Sequence, residues 1–274
     1  MKSPVLSILF LLISVTLLAV PNDFRFRHFS VEDGLSSNSV RAIMQDKYGF
    51  LWIGTEEGLN RYDGIMIKSY SICPQAAGKY ISSLYGTKKN IWIGTDEGIY
   101  IYAYATETFT YFDLTTPNNV RITSIVNHIL QDKDGNLWFS TNGQGLFRYN
   151  LSKNYLEQYE FTSAFGIVAS TMADSDNQIW ALTNQGESGV YKLNKAENKF
   201  EPFGLLYNAG NHHSQALAML EDSEQTLWLG TWECGLQKID KYTRQTTTYL
   251  HPTDGKGVTH IHSLMEYAPH QLLI

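Results

Sequence analysis

The stretch Leu51–Gly64 reads LWIGTEEGLNRYDG, and forty residues on the chain repeats the phrase as IWIGTDEGIYIYAY, Ile91–Tyr104. The Trp of the phrase returns at Trp138, Trp180 and Trp228. Successive tryptophans stand 40, 46, 42 and 48 residues apart, and Leu273 takes the same place 45 residues after Trp228. A period of about 40–50 residues, rich in short apolar runs, points to a β-propeller in which each repeat forms one four-stranded blade.

Four strands can be read in each unit from the apolar pattern. In the first, VRAIMQD (Val40–Asp46) alternates with period two and FLWIGT (Phe50–Thr55) is a buried apolar run. GLNRYD (Gly58–Asp63) follows, and IMIKSY (Ile65–Tyr70) closes the unit. The third unit repeats the plan as VNHILQD, NLWFST, GLFRYN and YLEQYEF. The pattern predicts five complete blades at 40–70, 80–112, 122–161, 167–203 and 215–250, a partial sixth at 258–274, and no helix. The repeated Trp should bury its ring against the neighbouring blade, with Gly54 and Gly58 relieving crowding where the strand leaves for the next turn.

The turn between the first two strands has its own chemistry. Asp46-Lys-Tyr-Gly49 recurs as Asp132-Lys-Asp-Gly135, Asp174-Ser-Asp-Asn177 and Asp222-Ser-Glu-Gln225. Asp at the start can accept backbone N–H bonds, and Gly or Asn at the end tolerates a left-handed conformation. Gln225 suits that place less well, and the second unit has Gly86 and Lys89 instead. The acid spacing is that of a hairpin and not of a calcium loop.

Composition narrows the class. The 274 residues are 43% hydrophobic and 13% aromatic, with 21 Gly and only 18% charged residues, which favours an all-β chain. A formal charge of −6 argues against a nucleic-acid partner, which would need concentrated Lys and Arg. Lys2 precedes the uncharged run Val5–Val20, so residues 1–20 read as a signal peptide or an N-terminal anchor, and either places residues 22–274 outside the cytoplasm. Cys73 and Cys234 leave room for one disulfide and no framework. His212-His213 lies in a loop and His260 and His262 lie two apart on one strand face. No further ligand is grouped with either pair, so no metal and no cofactor is expected.

The segment FRFRHF, Phe24–Phe29, ends 23 residues before Trp52, as Leu250 ends 23 before Leu273. It reads as a fourth strand without its own first three, placed to close a last blade and remove an open edge. The chain reaches Ile274 in mid-strand, which suggests an incomplete ring and the N-terminal part of a longer protein.

FSVEDGLSSNSVRAIMQDKYGFLWIGTEEGLNRYDG, Phe29–Gly64, resembles the opening of the two-component regulator propeller family, the periplasmic sensor regions of hybrid two-component systems of Bacteroidetes. The resemblance covers residues 24–274 with five copies of the repeat. The fourth copy departs from the pattern, with an enlarged turn before Gly189. The resemblance implies a seven-bladed ring, a second propeller, a β-sandwich, a membrane helix, and kinase, receiver and DNA-binding domains in a parent protein that dimerises. It also implies a periplasmic sensor of an oligosaccharide that switches on glycan-utilisation genes. Kinase activity would belong to the parent protein, so this chain is not expected to be an enzyme.

In a blade the loop between strands two and three shares a face with the loop into the next blade, and ligands meet propellers on such a face. The candidate ligand-binding residues there are Glu56, Glu57, Asp96, Glu97, Asn142, Gln144, Asn184, Trp232 and Glu233, since carboxylates and amides suit sugar hydroxyls. Trp232 stands where other units place an acid. Its readings are packing on a neighbouring loop, stacking on a sugar, and contact with a second propeller or a dimer partner. Two rival functions stay open at this stage, a propeller-fold lyase or hydrolase and a non-catalytic interaction scaffold, because fold alone does not separate them.

Overall fold

The computed structural model describes residues 26–72, 79–161, 166–183, 189–205, 215–232, 234–249 and 260–274. The leader at 1–20 and Cys73 lie outside them. Within the described residues the chain is all-β, with one short 3-10 turn at Val31–Asp33.

Five antiparallel four-stranded sheets follow one another as meanders. The first holds β1 (Val40–Gln45), β2 (Leu51–Thr55), β3 (Gly58–Tyr62) and β4 (Ile67–Tyr70). The second holds β5 (Ile81–Gly86), β6 (Asn90–Thr95), β7 (Gly98–Ala103) and β8 (Thr108–Tyr111). The third is β9 (Val126–Gln131), β10 (Leu137–Thr141), β11 (Leu146–Asn150) and β12 (Tyr155–Tyr159). The fourth is β13 (Val168–Ala173), β14 (Ile179–Thr183), β15 (Gly189–Asn194) and β16 (Lys199–Leu205). The fifth is β17 (Ala216–Glu221), β18 (Leu227–Thr231), β19 (Leu236–Ile239) and β20 (Thr246–Tyr249). A hairpin of β21 (Met265–Ala268) and β22 (Gln271–Leu273) follows. The first strands lie beside one another in succession, β1 by β5, β5 by β9, β9 by β13 and β13 by β17. They form the inner edge of a radial array, and each sheet is a blade.

The hydrophobic core lies between blades. Trp52 and Leu59 pack on Ile91, Ile93 and Tyr102 of the second blade, and Trp92 and Phe112 pack on Phe139 and Phe147 of the third. Trp138 meets Tyr191 and Phe200, and Trp180 meets Ala216 and Leu229. Four of the five tryptophans therefore bury a large ring at a seam, as their place in the second strand predicts, while Trp228 is partly buried and packs on Tyr249 of its own blade.

The turn acid does more than cap its hairpin. Asp46 Oδ1 accepts from the N–H groups of Tyr48 and Phe50 at 2.9 and 3.0 Å, while its Oδ2 accepts from Trp52 Nε1 at 2.8 Å. The same carboxylate–indole bond joins Asp132 to Trp138 at 2.8 Å, Asp174 to Trp180 at 3.0 Å and Asp222 to Trp228 at 2.6 Å. A cation on the third strand lies over each of these rings: Arg61 at 5.8 Å, Arg148 at 5.6 Å, Lys192 at 5.2 Å and Lys238 at 5.9 Å. The second blade has Gly86 for the acid and Ile101 for the cation, so both charges are missing together. There Thr87 caps the turn, accepting from Asn90 N–H at 3.0 Å, and the buried Trp92 Nε1 has no hydrogen-bond partner among the described residues.

Gly54 relieves crowding as expected, and the crowding comes from the next blade. A Cβ there would lie 2.5 Å from Ile81 Cγ2 of the next blade, and one on Gly94 would lie 2.9 Å from the Val126 carbonyl. These positions are small because the next blade's first strand runs against them. Gly58 is the turn residue, with φ of +149°. At the ends of the first-to-second turns, Gly49, Gly135 and Asn177 take positive φ as expected, and Gln225 adopts it too, at 63°.

The closing strand expected at Phe24–Phe29 has no receiving strand among the described residues. Phe26–Phe29 pair with no strand. A fourth strand needs a third to bond to, and the β21–β22 hairpin has only two among the described residues. Instead, the Arg27 guanidinium donates to the Tyr62 hydroxyl at 2.8 Å and lies 4.8 Å from the Phe29 ring. Phe29 in turn packs on Tyr62, at 4.8 Å between centroids.

On the face carrying the first-to-second turns, polar bonds run from blade to blade. Ser175 donates through its hydroxyl to Glu221 at 3.0 Å, and Ser223 donates through N–H and hydroxyl to Glu266 at 2.7 and 2.6 Å. Lys241, its side chain 5% exposed, reaches Asp176 and Glu221 at 2.9 Å each. Burial alone would lower the Lys241 ammonium's pKa, but its bonds to these acids raise it well above the ordinary value. Asp176 is held below its usual 3.8 by the bond to Lys241.

Three outcomes are expected. Asp132→Ala, which orphans the Trp138 indole N–H and uncaps the turn, should cost about 2–3 kcal/mol in urea unfolding; a loss under about 0.5 kcal/mol would show that the bond stabilises little. Gly94→Ala should destabilise by about 1–3 kcal/mol through overpacking at the seam, read by the same unfolding curves. Lys241→Met, which leaves buried acids uncompensated, should cost about 3–5 kcal/mol at pH 7. Because the bond to Lys241 holds the folded-state pKa of Asp176 down, the share of that deficit due to this exposed acid should be lost as the pH falls below 3.8; a deficit unchanged at acid pH would contradict the charge account.

Candidate functional site

The face opposite the first-to-second turns is built by the hairpins between second and third strands. A buried Thr fixes each one. Thr55 Oγ1 donates to the Gly58 carbonyl at 3.1 Å and accepts from Glu57 N–H at 3.1 Å. Thr95 makes the same pair of bonds with Gly98 and Glu97, and Thr141 with Gly145 and Gln144. Thr231 makes them with Gly235 and Cys234. The hairpin residues thus leave each blade at an equivalent point with a rigid base.

The predicted ligand residues fall into distinct environments on this face. Glu56 is ion-paired with Arg41, which sits in a bulge of β1, and the Arg41 bond holds its carboxyl below the usual range. Glu97 is ion-paired with Lys79, whose side chain is 8% exposed. Arg121, in the loop entering the third blade, pairs with Asp113 at 2.7 Å. Glu57 and Asp96 are exposed, and among the described residues no hydrogen bond or ion pair engages their carboxylates.

Gln144 is spent locally. Its Oε1 accepts from Thr123 and Ser124 N–H at 2.8 and 3.0 Å, and its Nε2 donates to the Arg121 carbonyl at 2.9 Å. The side chain clamps the loop into its own blade. Asn142 is exposed, and its backbone bridges to Ile167 of the next blade. Asn184 and Glu233 lie outside the described residues.

Trp232 is 40% exposed. Its backbone N–H donates to the Gln215 carbonyl at 2.9 Å and its backbone bridges to His260. Its indole stands edge-on to two imidazoles, with centroids 3.8 Å away for His260 and 5.9 Å for His262. The i, i+2 spacing placed the two histidines together in the sequence, and the structure adds that both face Trp232. The structure thus meets one reading of Trp232, packing on the neighbouring segment, while leaving part of the ring open to solvent. Cys234 is buried. Among the described residues no cluster of three or more His, Cys, Asp or Glu is arranged to hold a metal, and no helix is long and apolar enough to cross a membrane.

Two features escaped the sequence. The lead-in Gly34–Val40 packs on this face through Ser36, whose N–H donates to buried Asn60 Oδ1 at 3.0 Å and whose hydroxyl bonds Thr55 Oγ1 at 2.8 Å. The second residue of each first strand is bulged. From these bulges Ser82 donates to the Val126 carbonyl at 2.8 Å and Asn127 to the Val168 carbonyl at 2.9 Å. Ser–Asn–Thr spacing in the first unit and a polar second residue were the available signals, but neither is specific without the pairing register.

Comparisons with known proteins agree with this architecture. The sequence pattern of the family described as "Two component regulator propeller" matches residues 34–57 and 120–143. Histidine kinase P4 of Formosa agariphila is 46% identical over 68 residues, which are 25% of this chain and 5% of the kinase. The extracellular domain of a putative hybrid two component system of B. thetaiotaomicron superposes with a TM-score of 0.68 at 25% identity, over 81% of this chain and 32% of that one. Virginiamycin B lyase from Staphylococcus aureus shares the fold alone, with a TM-score of 0.60 and 15% identity over 77% of this chain and 69% of the lyase. The chain therefore spans a small part of the kinase and about a third of the extracellular domain it resembles. The Trp-Ile-Gly-Thr phrase and the blades it builds make the chain a β-propeller, similar in two of its repeats to the two-component regulator propellers.

Proposed function

We propose that this chain is the ligand-sensing propeller of a hybrid two-component regulator, held outside the cytoplasm, and that it recognises an oligosaccharide on its hairpin face. The observation that carries the reading is the superposition on an extracellular domain of a putative hybrid two component system together with the match to a histidine kinase. The parent protein would supply the kinase, receiver and DNA-binding parts and would work as a dimer, so that ligand binding changes transcription of glycan-utilisation genes. The leader at residues 1–20 accords with a periplasmic position.

The chemistry of the face supports a neutral, hydroxyl-rich ligand. Its charges are largely arranged as internal ion pairs, Arg41 with Glu56, Lys79 with Glu97 and Arg121 with Asp113. Exposed carboxylates at Glu57 and Asp96, and the exposed Asn142, offer acceptors and an amide suited to sugar hydroxyls. Trp232 supplies the stacking surface, the part of its ring left open by His260.

Trp232→Ala in the full-length regulator should weaken binding of its oligosaccharide by about tenfold, the loss of about 1.4 kcal/mol of stacking, with the melting temperature little changed. Calorimetric titration against a panel of glycan fragments measures it. Unchanged affinity would remove Trp232 from the site, and an absence of binding by any fragment would remove the oligosaccharide.

A further inference from the structure

The first blade differs from the others in the charges beside its tryptophan. In the third blade Arg148 of β11 faces Glu157 of β12 across the ladder and forms an ion pair with it at 2.5 Å. In the fourth, Lys192 faces Glu201. The second and fifth blades place the neutral Thr110 and Thr247 at the acid's position. In the first blade Arg61 of β3 faces Lys68 of β4. Two cations then stand directly opposite one another, an arrangement that destabilises a ladder.

Both cations rest on one ring. Arg61 Cζ lies 5.5 Å and Lys68 Nζ 4.8 Å from the Tyr70 centroid, and Arg61 lies 4.4 Å from the Phe50 ring. Among the described residues neither cation has a hydrogen bond or an ion pair, and Arg61 Nε is buried without a partner. Nearby acids bond mainly to other groups, and Asp63 feels the Arg61 charge without an ion pair to it. Asp46 spends its oxygens on Tyr48, Phe50 and Trp52, and Asp63 accepts from Ile65 and Met66 N–H at 2.8 Å each. Glu107 shares with Arg61 the wall of a cavity of about 240 Å³ but makes no ion pair with it.

We propose that Arg61 and Lys68 form an oxyanion site. A sulfate-like group docking against the pair would receive the guanidinium's unspent N–H donors and the ammonium, and would stand where Glu157 stands in the third blade. Charge-assisted bonds of this kind are the strong ones, and the planar guanidinium suits oxyanion geometry. The anion would offset the cross-strand repulsion that the other blades avoid. The site lies on the outer half of the first blade and does not depend on the hairpin face or its ligand.

The test uses the full chain and inorganic sulfate, titrated by calorimetry at constant ionic strength with chloride as the balancing anion. Saturable binding is expected. Lys68→Glu rebuilds the arrangement of Arg148 and Glu157, and Lys68→Thr copies Thr110; each should weaken sulfate binding about tenfold or more, the loss of one charge-assisted bond. Lys68→Glu should also raise the melting temperature without sulfate. Non-saturable heats, or equal affinity in the parent and both variants, would overturn the proposal.

Discussion

An indole buried between two sheets gains a large apolar contact but carries an N–H that water no longer reaches. In this chain a carboxylate from the preceding turn meets that N–H, and the same acid orders the turn. One side chain thus joins three requirements: the hairpin closes, the ring takes one orientation, and the seam stays dry without an orphaned donor. Four of the five complete blades use this device with Asp46, Asp132, Asp174 and Asp222. The second blade gives up the acid and the cation together, which keeps the local charge balanced and leaves Trp92 with packing alone.

Much of this was legible in the sequence, and the limits are physical. The period of the tryptophans and the alternation of VRAIMQD against the continuous run FLWIGT fixed the four-stranded unit, because strand burial writes itself into residue order. The turn acids were legible as hairpin formers. Their bond to the indole six residues on was not, since it depends on a side chain folding back along its own hairpin. Gly54 was read as relieving crowding near a turn, and the crowding comes from Ile81, a residue of another blade. The segment Phe24–Phe29 meets a related limit. Its alternation matches a strand, but pairing needs a neighbour, and pattern carries no information about which neighbour is present. On the hairpin face, residue type alone could not show that Gln144 is consumed by its own loop or that Glu56 and Glu97 are already paired.

The two faces of the blades have divided their tasks. On the face of the first-to-second turns, serines, Lys241 and acids of successive blades bind one another, which fixes the angle between neighbours. The opposite face keeps its loops short and anchored on buried threonines, with side chains that differ from unit to unit: Glu57, Asp96, Asn142, Trp232. A rigid frame with variable tips is the arrangement on which recognition can change without disturbing folding.

The small residue two places after the Trp in four second strands, Gly54, Gly94, Ser140 or Gly230, lets the side chain of the following first strand come close, while in the fourth blade Leu182 takes that place and packs with the small Ala216. Since one rule serves the other four junctions, sectors of that kind can in principle follow one another. Lengthening or shortening such an array by whole sectors, through duplication or deletion in the gene, creates no interface that the chain has not already solved, and recognition surfaces can diversify by copying sectors as well as by point substitution.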